Sequence, residues 1–68
     1  MFIDLTCMGT SSWYHVHINT EHIVSIYPIP YNTKDGELYE IWTTIPSIRY
    51  LLNKESYLNL KKALGITT

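Results

Sequence analysis

Apolar and polar residues alternate along most of the chain with a period of two, which is typical of half-buried strands. This alternation predicts five strands, at residues 2–8, 13–18, 23–27, 37–44 and 48–52. The connections are short, so each strand is expected to pair with its predecessor in an antiparallel meander. The longest irregular segment, 31–36, ends in Asp-Gly, which is a turn signal, and is predicted to be the most mobile part.

The period changes to three and four residues after Asn53, which predicts one short amphipathic helix. Its apolar stripe would be formed by Tyr57, Leu60 and Leu64. Asn53 and Ser56 are both suitable N-caps, and the sequence does not decide between them. Lys61 and Lys62 complement the dipole at the end of the helix. Gly65 suits the left-handed position that follows.

The predicted fold class is therefore α+β, with residues 1–68 forming a single domain. A five-stranded antiparallel meander would carry one C-terminal amphipathic helix. The sheet would either stay open, with the helix across it, or curl into a small barrel that the helix fills. Chains of this length have a thin core, so a bound metal or a partner subunit would help to stabilise the fold.

Alternation divides the strand residues between two faces of the sheet. The face predicted to form the core carries Ile3, Leu5, Tyr14, Val16, Ile18, Val24, Ile26, Tyr39 and Ile41, with Leu51 a further candidate. The opposite face is predicted to carry Trp13, Tyr27, Leu38, Trp42 and Tyr50. A single helix covers only one face, so in an open sheet these aromatic rings would form an exposed cluster, whereas in a barrel some would be internal.

Tryptophan and tyrosine dominate the energetics of protein interfaces. The predicted binding residues are therefore Trp13, Tyr27, Trp42 and Tyr50. The predicted function is a small non-enzymatic interaction module that self-associates and binds a protein partner through this aromatic face. The alternative is a small nucleic-acid-binding regulator, encoded by a phage or mobile element, because exposed aromatic rings also stack on single-stranded bases.

The charge pattern disfavours that alternative. Five Lys and Arg residues against six Asp and Glu give a net charge of −1, with no run of either sign. A nucleic-acid binder uses a basic stripe to neutralise phosphates, and a membrane-surface protein uses a similar cluster. The chain shows no signal-peptide pattern and no apolar run of about 18 residues, so a cytoplasmic protein is predicted.

The chemically reactive residues predict neither an enzyme nor a cofactor. Cys7 is the only cysteine and lies on the predicted core face, so we expect a buried structural thiol in a reducing compartment. His15 and His17 would lie about 7 Å apart on one face of a strand. Zinc needs three or four ligands, and the best further candidates are Cys7 and His22. We therefore predict no metal site within the chain, and a zinc ion between subunits is the alternative.

Three short segments resemble the FlbD-like family of small proteins associated with flagella and swarming motility. They are Ile18-Asn19, His22-Ile23-Val24-Ser25-Ile26, and Lys54-Glu55-Ser56-Tyr57 followed by Leu60 and Leu64. The resemblance covers about half of the chain, which departs from the family pattern between Pro28 and Leu52. It implies a small cytoplasmic accessory protein and implies that Ser56 caps the helix. It assigns no catalytic residue.

Overall fold

The computed structural model describes residues 1–44 and 47–66, which form six strands and one helix. These elements are β1 (Phe2–Met8), β2 (Trp13–Asn19), β3 (Ile23–Ile26), β4 (Tyr31–Thr33), β5 (Gly36–Thr43), β6 (Arg49–Leu52) and α1 (Lys54–Leu64). One turn of 3₁₀ helix, Thr20–His22, joins β2 to β3. The α+β class is confirmed, and the described part of the chain has one strand more than predicted.

The strands pair antiparallel in the order β2-β1-β6-β5-β3, and β4 also pairs with β5. The predicted meander is wrong at one step, because β3 lies against β5 at the far edge and not beside β2. Asn19 accounts for the change of direction. Its Oδ1 accepts a hydrogen bond from the Glu21 N–H at 3.1 Å and so starts the 3₁₀ turn in place of a hairpin. Among the described residues the sheet is open, and the barrel alternative is not formed.

The additional strand comes from the segment that was predicted to be irregular. β4 pairs with the start of β5, and Thr33 lies opposite Gly36. The Thr33 hydroxyl accepts a hydrogen bond from the Asp35 N–H at 3.1 Å and donates one to the Gly36 carbonyl at 2.9 Å. Gly36 has a φ of 104°, which few residues other than glycine adopt. The Asp-Gly turn signal is therefore confirmed, and the turn joins two strands.

The core lies between one face of the sheet and α1. Its buried side chains are Leu5, Cys7, Ile18, Tyr39, Ile41, Leu52, Tyr57 and Leu60. The rings of Tyr39 and Tyr57 stack with centroids 3.9 Å apart and planes 6° from parallel, which fixes the helix against β5. The predicted stripe is confirmed for Tyr57 and Leu60. Leu64 lies at the end of the helix and is 37% exposed.

Two residues of the predicted core are exposed. Val24 is 59% exposed because a bulge between Ile23 and Ser25 shifts the register of β3. The bulge turns Ile23 and Ile26 toward the core and leaves Val24 outside. Tyr14 lies opposite Cys7 but near the loop end of an edge strand, and it is 42% exposed. The other predicted core residues of the strands are buried or half-buried on the core side: Ile3, Leu5, Val16, Ile18, Ile26, Tyr39 and Ile41. The further candidate Leu51 is on the opposite face, because it pairs with Glu40 and lies between the core residues Tyr50 and Leu52.

The N-cap of α1 is Asn53, so the role that the family resemblance implies for Ser56 is wrong. The Asn53 Oδ1 accepts a hydrogen bond from the Ser56 N–H at 2.8 Å, as an N-cap side chain does. Ser56 is buried, and its hydroxyl accepts a hydrogen bond from the Thr6 N–H at 2.8 Å. Ser56 therefore ties the helix to β1. The predicted C-cap is confirmed, since Gly65 has a φ of 74°.

Candidate functional site

The face of the sheet opposite α1 is called the outer face below. On β5, the core takes Tyr39 and Ile41, so the intervening residues Leu38, Glu40 and Trp42 lie on the outer face. This distribution was predicted from the alternation of β5. Leu38 is nevertheless buried, and Glu40 is only 6% exposed, although α1 packs on the other face.

Glu40 is buried because two aromatic side chains on its own face hold the carboxylate. The Tyr31 hydroxyl donates a hydrogen bond to Oε1 at 2.6 Å, and the Trp42 indole N–H donates one to Oε2. Tyr31 lies on β4 and is placed beside β5 by its pairing with Leu38. Each carboxylate oxygen therefore has a donor, as a buried charge requires.

These contacts keep the carboxylate ionised. The hydrogen bond from Tyr31, then that from Trp42, lowers the pKa of Glu40, and the positive charge of Arg49 acts in the same direction. Burial opposes the shift but does not reverse it. The same hydrogen bond raises the pKa of the Tyr31 hydroxyl, because the proton is held between the two oxygens. At neutral pH the carboxylate therefore accepts from both rings and fixes their orientation.

Tyr27 completes the aromatic part of this face. Its backbone N–H donates to the Glu40 carbonyl at 2.9 Å, and its side chain is 48% exposed. Tyr31 is also exposed, and Trp42 is half-buried. We call Tyr27, Tyr31 and Trp42 the outer aromatic cluster. Two of its three rings are held by one buried carboxylate, and all three offer surface to solvent.

The structure thus groups two of the predicted binding residues, Tyr27 and Trp42, around Glu40. Tyr31 and Glu40 were missed. Tyr31 fell in a segment predicted to be a loop, whereas Glu40 carried a usable signal. It is the acidic residue between Leu38 and Trp42 on a face that is otherwise apolar along β5.

Trp13 lies elsewhere on the same face, at the start of β2. It pairs with Met8 and lines an open cleft of about 420 Å³ between the β1–β2 loop and the turn before β5. Lys34 and Asp35 form the other side of that cleft. Trp13 is exposed, and the two side chains that donate hydrogen bonds to the Glu40 carboxylate are Tyr31 and Trp42. Trp13 is therefore not part of the outer aromatic cluster.

Tyr50 is on the wrong face for the predicted role. It lies opposite Ile41 in the β5–β6 register and packs against the core, because two-residue alternation from Leu52 brings it to the same side. It also lines a cleft of about 260 Å³ with Phe2 and Ile48. The assignment of Tyr50 to the aromatic face is therefore corrected.

The predicted reactive residues lie apart from the cluster. His15 and His17 are both exposed, and the His15 Nδ1 lies 3.2 Å from the Thr6 hydroxyl and 3.9 Å from the Asp4 carboxylate. The described residues hold no group of three or more His, Cys, Asp or Glu side chains that could bind a metal ion. Cys7 is buried as predicted, and burial raises the pKa of its thiol to about 11. Such a thiol is protonated at neutral pH and is a weak nucleophile.

The described part of the chain has no helix that is both long enough and apolar enough to cross a membrane. Comparisons with models of protein families, with curated proteins and with solved structures find no match, so the FlbD-like resemblance stays a prediction.

Proposed function

We propose that this chain is a small non-enzymatic interaction module that self-associates and binds a protein partner through the outer aromatic cluster. The observation that carries the proposal is the buried Glu40 carboxylate, which accepts a hydrogen bond from Tyr31 and from Trp42 at the same time. Because this carboxylate fixes the orientation of two partly exposed aromatic rings, the rings form a preorganised binding surface.

Fixed aromatic rings favour binding for two reasons. Tyrosine and tryptophan supply large contact areas, and they recur at the energetic centres of protein interfaces. Rings that are already held in one rotamer lose less conformational entropy when a partner binds. The cluster therefore has the composition and the rigidity of a binding hot spot.

The charges near the cluster favour a protein partner over a nucleic acid. The ionised Glu40 lies beneath two of the rings, and Arg49, opposite Trp42, is the cation that acts on it. A phosphate backbone would meet this carboxylate and a chain of net charge −1. An extended peptide that places an apolar or cationic side chain on the rings fits better.

A random peptide library tests the proposal without knowledge of the natural partner. Peptides are selected on the wild-type chain, and their footprint is read from amide shifts in NMR spectra. We expect the shifts to centre on Tyr27, Tyr31 and Trp42. We also expect Tyr27→Ala to weaken binding at least about tenfold, which is the range of an interface hot spot.

Leu58→Ala is the matched control, because Leu58 is 51% exposed on α1 and Tyr27 is 48% exposed on the outer face. This variant should bind the selected peptides like the wild type. Peptides whose footprint lies elsewhere, or equal losses in both variants, would contradict the proposed surface.

A further inference from the structure

The outer side of β2 is an open edge of the sheet. No other strand of the described residues pairs with it, and its seven residues run without a bulge in register with β1. The segment contains no proline and no Lys, Arg, Asp or Glu. Natural edge strands are usually blunted by such features, and a long regular edge without them is a template for another strand.

The hydrogen bonds of Thr6 show which backbone groups of β2 are free to pair. The Thr6 N–H donates to the Ser56 hydroxyl at 2.8 Å, and its carbonyl accepts from the Asn53 N–H at 3.3 Å, so both groups point away from β2. In an antiparallel pair, the backbone N–H and C=O groups of two opposite residues either both point toward the partner strand or both point away from it. His15 lies opposite Thr6, and its backbone groups therefore point outward.

Alternation extends this assignment along the strand. The residues with outward backbone groups are Trp13, His15, His17 and Asn19. The residues between them, including Val16, bond to β1. The Thr20 N–H, which donates to the Met1 carbonyl at 2.7 Å, continues the same phase beyond the end of the strand. Trp13, His15 and His17 thus present unpaired N–H and carbonyl groups in a regular row, and Asn19 adds its N–H, because its carbonyl accepts the first hydrogen bond of the 3₁₀ turn.

We propose that a second copy of this chain pairs with β2, antiparallel and about a two-fold axis at Val16. In this register Trp13 lies opposite Asn19 of the second copy, and His15 lies opposite its His17. All four outward residues of each copy meet outward residues of the other, so every free donor and acceptor gains a partner. The proposal deepens the self-association part of the proposed function and does not depend on the outer aromatic cluster.

The side chains match this register as well. On the core side, Val16 meets Val16 and Tyr14 meets Ile18, so apolar groups face apolar groups. Tyr14, the partly exposed ring that the monomer core leaves uncovered, would gain a neighbour. No like charges oppose each other, since β2 carries no charged Asp, Glu, Lys or Arg side chain. The dimer would also join the six strands of each copy into one continuous sheet.

The opposite edge explains why the occupant is a second copy and why association stops at two. β3 and β4 are short strands separated by Pro28 and Pro30, and β3 carries a bulge. An isologous contact at β2 uses the one regular edge of each copy and closes. The contact area of one strand pair is small, so we expect a dissociation constant in the micromolar range.

Sedimentation equilibrium between about 1 µM and about 1 mM tests the dimer. The wild-type chain should change from monomer to dimer across this range. His17→Pro removes one outward N–H and no hydrogen bond to β1, so the variant should keep its circular dichroism spectrum. We expect it to weaken dimerisation at least about tenfold, because each two-fold pair loses two hydrogen bonds and meets the proline ring.

Cysteine cross-linking tests the register independently of that variant. In the proposed register, Val16 and its copy form a non-hydrogen-bonded pair. The Cα atoms of such a pair are about 4.5 Å apart, which suits a disulfide. Val16→Cys should therefore form a disulfide-linked dimer under mild oxidation. The buried Cys7 thiol, diagonal to position 16, lies too far away to compete, at about 7–8 Å. The wild-type chain, which has only Cys7, is the control.

A wild-type chain that is monomeric at the highest concentration would overturn the proposal. A folded His17→Pro variant that dimerises like the wild type would also overturn it, as would cross-linking of His15→Cys in preference to Val16→Cys. Tyr27→Ala separates this inference from the proposed function, because it should weaken peptide binding at least about tenfold and leave the dimer intact. If Tyr27→Ala dissolved the dimer, the aromatic cluster and not β2 would be the self-association surface.

Discussion

The two edges of this sheet are built in opposite ways. One edge is β2, with seven consecutive residues in register with β1. The other is formed by β3 and β4, which have four and three residues and lie end to end along β5. A bulge interrupts β3, and Pro28-Ile29-Pro30 separates the two strands. The first edge is a regular template, and the second is interrupted by the bulge and by the proline segment.

The position of Pro28 shows how the second edge is protected. The Tyr27 N–H donates to the Glu40 carbonyl, so the N–H of the next residue would point outward, and proline has none. Ile29 can therefore be 80% exposed without offering a strand for pairing. Both edges belong to one small sheet. The difference shows that such a sheet can block one edge against strand pairing and keep the other edge for a defined contact.

The largest effect is expected for Val16→Pro, which tests the hydrogen-bond phase of β2. The Val16 N–H points toward β1, so proline would remove a ladder bond and force its ring into the pair. The cost should approach the roughly 3–5 kcal/mol that a core of this size supplies, and the chain should unfold. Circular dichroism at increasing urea measures this.

His17→Pro is the matched control, one residue away with an outward N–H, and should unfold at nearly the urea concentration of the wild type. If His17→Pro unfolded and Val16→Pro did not, the phase assigned from Thr6 would be reversed. The outward residues would then be Tyr14, Val16 and Ile18.

Ser56→Ala should have the next largest effect. It leaves the Thr6 N–H without its acceptor, and an unpaired, partly buried donor costs about 1–3 kcal/mol. The loss would be seen as a lower urea midpoint. Asn59→Ala, at an exposed position of the same helix, should change the midpoint little. Equal midpoints for the two variants would show that Ser56 does not hold β1 in the phase that turns the groups of β2 outward.

Much of the fold was predictable because its strands alternate cleanly. β1, β2 and β5 were found with nearly their observed bounds, and the helix with its buried Tyr57 and Leu60. The topology was not predictable from short connections alone. The Asn19 side chain turns the chain through a 3₁₀ turn, and β1 pairs with β6 instead of leaving β2 beside β3. The bulge between Ile23 and Ser25 likewise has no sequence signal, since Ile23 and Val24 are both apolar and β-branched.

The candidate site was predictable in part for a similar reason. Tyr27 and Trp42 follow from alternation, whereas Tyr31 reached the outer face only because the segment before Asp35 pairs with β5. Tyr50 was assigned to the wrong face because β6 is only four residues long and its register is fixed by Leu52 in the core. Short strands carry little periodicity, and tertiary packing decides their phase.

Replacement of both prolines by valine, Pro28→Val with Pro30→Val, would remove the difference between the edges. Stability should fall by only about 1–2 kcal/mol, because each proline restricts the unfolded chain by about 0.4–1 kcal/mol. The solution state should change more, since each chain would then have two edges that can pair. Light scattering should show masses that keep rising with concentration, beyond the dimer.

Addition of His17→Pro to this pair is the control, because it blocks the β2 edge again and should limit association to dimers through the unblocked edge. A scattering mass that stays at the wild-type value in the double valine variant would mean that the prolines do not protect the edge.

The smallest effect is expected for Tyr31→Phe, which tests how β4 is held to the protected edge. The pKa of Glu40 is lowered in the folded chain, chiefly by the hydrogen bond from Tyr31. Ionised Glu40 therefore favours folding at neutral pH, and this contribution is lost as the pH falls below about 4.3 and through the folded pKa. Tyr31→Phe should bring the folded pKa closer to its ordinary value.

The difference between the urea midpoints at about pH 7 and about pH 3 should then be smaller than in the wild type. Tyr27→Phe is the control, because its ring lies on the same face but the hydrogen bonds of the Glu40 carboxylate come from Tyr31 and Trp42. If both variants kept the wild-type pH dependence, Glu40 would not be the group that joins β4 to β5. The protected edge would then depend on its prolines and its bulge alone.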